Sequence, residues 1–260
     1  MNRISVTLLL LALTAPAAAQ ELEPICADRP GKGNAPCTVA PGHVQIELGF
    51  DDLSIQHRSG ITTSINDIGG LLAKFGLTDR LDIEAGVNLY QSEREHGASL
   101  TETRTGVGDL FLHLKYGLES GRFSLAINPY VKLPVATAAV GNGKLEGGLV
   151  VPMAYELGSG WALGDTLEAD ALANASGAGM HPNVSEVLGV GKRITEDLTL
   201  GAEFWTDQNF DPSSFSAQYS VGVELADLLN NDTQIDCGVN FGLDRQTPDV
   251  EIYAGIAERF

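Results

Sequence analysis

The stretch DLFLHLK sets Asp109, Phe111, His113 and Lys115 at alternate positions, with leucines between them. An acid, an imidazole and an ammonium on one face could move protons. With a serine nearby, His113 would be the base of a hydrolase mounted on a strand. The other histidines, at 43, 57, 96 and 181, are scattered without ligand spacing, so no metal site is assigned. A P-loop, a dinucleotide fingerprint, H-E-x-x-H and G-x-S-x-G are all absent. No catalytic residue and no cofactor are therefore assigned, and the simpler account of His113 is a solvated histidine beside Asp109 and Lys115.

A larger constellation surrounds these three. Asp109, His113, Lys115, Asn128, Tyr130, Lys132, Glu146, Glu156, Glu168, Asp170, Glu203, Gln218, Glu224, Asp236 and Asn240 all fall between apolar residues in alternating runs. Lining of this kind, rich in acids with a few lysines, suits a wet conduit that favours cations or neutral solutes. It equally suits an interior braced shut by ion pairs, and the residues alone leave both open.

Alternation of period two places such residues on one face of β-strands. It recurs in HVQIELGF, RLDIEAGVNLY, FSLAINPYVKLP, LEGGLVVPMAYEL, LTLGAEFW, FSAQYSVGVEL and TQIDCGVNFGL, and more weakly in SINDIGGLLAKFG, WALGDTLEADA and NVSEVLGVGKRI. About twelve strands result, each long enough to cross a bilayer at a tilt. Short polar turns (77–80, 119–122, 158–160, 195–197) interleave with long connections (92–104, 136–144, 173–181, 206–213, 244–249). The charged stretch 92–105 reads as a solvated loop. Tyr116, Phe123, Tyr155, Trp161 and Phe260 sit beside the short turns, as an interfacial aromatic girdle would. The fold expected is all-β, a transmembrane antiparallel up-and-down barrel of about twelve strands. A soluble sandwich would have to bury the apolar face against a second sheet. A barrel turns that face to lipid, and a water-filled lumen spares the polar face the cost of a dry core.

The chain of 260 residues carries a formal charge of -18, which argues against a nucleic-acid partner. Residues 1–19 read as a cleaved export signal, with Arg3, an apolar run and Ala17-Ala18-Ala19. Residues 20–41 form a Pro- and Gly-rich N-terminal segment, expected on the periplasmic side, and 42–260 the barrel. In an exported chain Cys26 and Cys37 suit a loop-closing disulfide, whereas Cys237 reads as a small apolar strand residue. The N-terminal segment could enter the lumen as a plug or trail as a disordered leader.

RPGKGNAPCTVAPGHVQIELGF, GVGDLFLHLKYGL and LAINPYVKLP resemble the outer-membrane transporters grouped as the "MetA-pathway of phenol degradation" family, over about 28–260. The resemblance implies an outer-membrane barrel for passive uptake of small, often aromatic, molecules. It supplies no catalytic or binding residues. The partners expected are outer-membrane lipid, a small-molecule solute, and the barrel-insertion machinery through the C-terminal Phe260. Glu258 departs from the apolar alternation that precedes such a phenylalanine. The alternatives are a structural or plugged barrel without transport, and a hydrolase using His113.

Overall fold

The computed structural model describes residues 22–99 and 101–260. The expected export signal lies outside the described residues. Thirteen strands follow: β1 (Val44–Arg58), β2 (Ile61–Thr78), β3 (Leu81–Gly97), β4 (Thr101–Gly106), β5 (Leu110–Ser120), β6 (Phe123–Leu133), β7 (Glu146–Gly158), β8 (Trp161–Ala173), β9 (Met180–Arg193), β10 (Leu198–Asn209), β11 (Ser216–Asn230), β12 (Thr233–Gly242) and β13 (Val250–Arg259). No helix occurs among the described residues.

All strand pairs are antiparallel, and β1 closes on β13 with Leu48 opposite Ile256. Closure leaves no unpaired sheet edge to face lipid. The barrel has twelve strand positions rather than thirteen. The lower half of β3 (Leu81 to Val87) pairs with β5, and its upper half (Gln91 to His96) pairs with β4. β4 and β5 thus share one position, broken at residues 107–109.

Inside and outside are reversed relative to a soluble protein. The buried set is dominated by Gln45, Glu47, Lys74, Asp82, Glu84, Lys115, Asn128 and Asn240. The exposed set includes Ile83, Leu114, Leu149, Leu188, Val223 and Ile252. Side chains alternate along each strand, so the apolar residues form one continuous outer belt. Cys237 is a free thiol on this outer face. Tyr116, Phe123, Tyr155, Trp161 and Phe260 are exposed at the short-turn end, where the girdle was expected. Lys192 donates to Ser159 O (2.6 Å) and lies 5.1 Å over the Trp161 ring, a cation–π contact at that end.

One expectation changes. The stretch 92–105 is not an open loop: Glu93 pairs with Arg104 across a β3–β4 hairpin that prolongs the barrel wall. Its polar residues gave no apolar alternation because neither face of that hairpin needs to meet lipid. Likewise β1 and β2 run on to a two-residue turn at Ser59–Gly60, both with positive φ (53° and 79°), as a tight primed hairpin requires. The remaining connections alternate as expected, with short turns at one end, longer loops at the other, and both ends of the described chain on the short-turn side.

Candidate functional site

The segment before β1 forms no strand and runs inside the barrel. Cys26 and Cys37 are disulfide-bonded, which closes the loop between them. Its flanks are tied at the short-turn end, Ile25 N donating to Asn231 O (2.7 Å) and Val39 N to Asp82 Oδ2 (2.9 Å). Between these ties the loop reaches most of the way round the wall. Asp28 N donates to Glu47 on β1 (3.1 Å), the Arg29 guanidinium to Asp236 on β12 (2.9 Å), Lys32 N to Glu203 on β10 (3.0 Å), and Asn34 N to Thr166 Oγ1 on β8 (2.9 Å). The chain leaves by passing against Gly76 of β2. A Cβ there would lie 2.2 Å from Ala40 O, so only glycine permits the approach.

The anchor of this loop is a cluster of five buried charges. Asp28 receives Lys115 (2.9 Å) and Lys74 (2.6 Å), Lys74 also meets Glu47 (2.5 Å), and Lys115 meets Glu84 (3.1 Å). Stripping water from such ions costs several kcal/mol each unless every one finds partners. Here each carboxylate touches an ammonium, and each ammonium touches two carboxylates.

Above the loop lies a chamber of about 540 Å³, lined by Arg29, Asn88, Gln91, Asp109, Phe111, His113 and Lys132 among others. One wall is aromatic. The His113 ring stacks on Tyr130 at 5.1 Å, and Phe111 lies 6.0 Å from Tyr130. A cavity of roughly 150 Å³ already holds a benzene ring, so this volume admits a single-ring solute with water.

Most of the residues singled out by alternation face this interior. Lys115 and Asn128 are essentially inaccessible, and Asn128 donates to Glu84 (3.3 Å). Tyr130 donates to Asp170 Oδ1 (2.7 Å). Lys132 bridges Asp109 (3.1 Å) and Glu146 (2.6 Å). Glu203 and Asp236 hold the loop, and Glu224 lies against Gly31 in it. Glu156 differs. It has the inward parity but sits exposed near the short turn of β7, at the rim rather than in the lumen. His113 meets aromatic rings rather than a nucleophile.

Alternation also marks inward residues outside that set. Gln45 and Glu47 alternate in HVQIELGF, and Asp82 and Glu84 in RLDIEAG. Lys74 was hidden by the Gly69–Gly70 irregularity of β2, and Arg29 and Lys32 lie outside any strand.

The lumen cations Arg29, Lys32, Lys74, Lys115 and Lys132 are all ion-paired. Lumen carboxylates exceed them: Asp52, Glu168, Asp170, Asp207 and Glu224 form no ion pair among the described residues. The interior field is therefore negative.

At the long-loop end, Asp211 ties two loops together. It accepts from Ser213 Oγ (2.6 Å), Ser213 N (2.7 Å) and Ala175 N (2.6 Å). The Ser213 hydroxyl first, then the two backbone amides, hold its carboxyl down at about 2. A depressed carboxyl stabilises above its ordinary titration range and fails only as pH falls through the lowered value. We expect amide protection factors in loops 174–179 and 210–215 to hold down to about pH 3, and to be lower in Asp211→Asn at every pH above that.

An outer membrane channel from Pseudomonas putida F1 has a similar structure, with a TM-score of 0.69 at 16% identity over 89% of this chain and 99% of that one. The translocator domain of the autotransporter NalP from Neisseria meningitidis gives 0.53 at 11% identity over 85% and 90%. Likeness at such identity concerns the fold, that of an outer-membrane barrel. None of the curated proteins matches significantly. The family model described as "Putative MetA-pathway of phenol degradation" matches residues 27–260, which takes in the lumenal loop as well as all thirteen strands. The chain therefore belongs to the MetA-pathway of phenol degradation family.

Proposed function

We propose that this chain is an outer-membrane channel for passive uptake of small molecules, aromatic compounds among them, and that residues 26–37 are its plug. The observation that carries the reading is the chamber lined by Phe111 and His113, with Tyr130 stacked on His113, closed beneath by the loop. Residues 1–19 act as the cleaved export signal, residues 20–41 enter from the periplasmic side, and Phe260 addresses the insertion machinery. The lumen residues Asp109, Lys132, Glu146, Glu203, Glu224 and Asp236 set the field that an entering solute meets.

The test is single-channel recording of the refolded protein in a planar bilayer, with phenol permeation followed in liposomes. We expect small, brief openings that prefer K⁺ to Cl⁻, and phenol entry faster than benzoate entry. Anion preference would overturn the acidic-lumen account. Lipid hydrolysis lost in His113→Ala would favour the hydrolase reading instead.

A further inference from the structure

The plug presents two cations to the wall, and the wall receives each with one carboxylate and a surface that fits the cation beside it. The Arg29 guanidinium meets Asp236, whose side chain is 0% exposed, through Nη2 (2.9 Å) and Nε (3.3 Å). It packs against two glycines: a Cβ on Gly255 would be 2.5 Å from Nη2, and one on Gly49 would be 3.1 Å from Nη1. The missing side chains make a slot of the shape of a planar cation. The Lys32 ammonium pairs with Glu251 and lies 4.9 Å over the Trp205 ring. Asn240 donates to the same Glu251 oxygen (3.2 Å) and holds it in place. A carboxylate beside an aromatic face is a general means of recognising an alkylammonium. Glu251 is the second residue of β13 after a long loop, and Asp236 is the fourth of β12 after a short turn. The two sites therefore follow one another from the mouth inward.

We propose that these are recognition sites for organic cations, a guanidinium at Asp236 and an alkylammonium at Glu251 and Trp205, and that Arg29 and Lys32 occupy them as built-in competitors. The gating part of this rests on the plugged-channel reading. An incoming cation exchanges one ion pair for another of equal charge, so it releases the plug without leaving a buried carboxylate unpaired. A neutral molecule of the same shape cannot.

The first experiment compares guanidinium with urea, its uncharged isostere, on wild-type conductance at constant ionic strength and millimolar concentration. Guanidinium raises the open probability, urea does not, and Asp236→Asn weakens the response about tenfold, as loss of a charge-assisted pair implies. The second needs no conductance. In full-length Lys32→Ala, n-butylammonium changes Trp205 fluorescence, 1-butanol does not, and adding Glu251→Gln weakens binding about tenfold. Trp161→Phe in all these proteins leaves Trp205 as the only emitter. Equal responses to guanidinium and urea, or no response to either, overturn the gating role. Absence of butylammonium binding to Lys32→Ala overturns the site. If removing the plug fails to raise conductance, the channel reading falls while the fluorescence titration still decides the binding site.

Discussion

Excising residues 26–37 and joining Ile25 to Thr38 through two glycines raises single-channel conductance severalfold, with K⁺ preferred to Cl⁻ more strongly than in the wild type. The join is short because the Cα atoms of Cys26 and Cys37 are 6.3 Å apart. The excised loop carries Asp28, Arg29 and Lys32, so the lumen loses two cations and one carboxylate. What remains is more acidic, and a narrow acidic passage with low-dielectric walls concentrates cations. A twelve-position barrel lies between the filled eight-stranded type and the open porins. Its passage thus depends on what stands inside it. Recording in a planar bilayer decides the matter, with heat-shifted gel migration to confirm folding. Conductance no higher than wild type would mean that the side chains of the wall close the barrel by themselves.

Period-two alternation was enough to reveal the barrel, because a strand with lipid on one face and water on the other cannot hide its pattern. The lumen-facing lysines and carboxylates of β5 to β7 followed from the same parity. Other features were not legible, for separate reasons. β4 carries Thr101, Glu102, Thr103, Arg104 and Thr105, polar on both faces, so nothing marked it as a strand. Lys74 lies beyond a glycine pair at which the alternation of β2 is interrupted. The plug contacts join residues as far apart as Arg29 and Asp236, which no local spacing relates. Two cysteines and a place before β1 do mark that segment in the sequence, but nothing in its spacing says which wall residues it meets.

Lys115→Met lowers barrel stability by about 3–5 kcal/mol, the usual effect of removing one partner of a buried ion pair. Lys115 is 0% exposed and, among the described residues, is the only ammonium in contact with Glu84. Its loss leaves Glu84 buried with just the amide of Asn128, whereas Asp28 keeps Lys74. Combining it with Glu84→Gln should restore most of the loss. The added amide carries no charge, and its oxygen can still accept from Asn128. Lys192→Met, at a half-buried position over Trp161 where no carboxylate pairs with it among the described residues, should change stability by less than about 1 kcal/mol. Urea unfolding of the liposome-inserted barrel, followed by tryptophan fluorescence, measures all three. A Lys115→Met protein as stable as the wild type would show that water reaches Glu84 and that the cluster is not dry. Because Lys115 holds Asp28 as well as Glu84, the same substitution should loosen the plug. Conductance and unfolding free energy therefore shift together in Lys115→Met. The double variant recovers stability while the plug, still short of one ammonium, stays more readily displaced. That separation would distinguish the charges that hold the wall together from those that hold the plug to it.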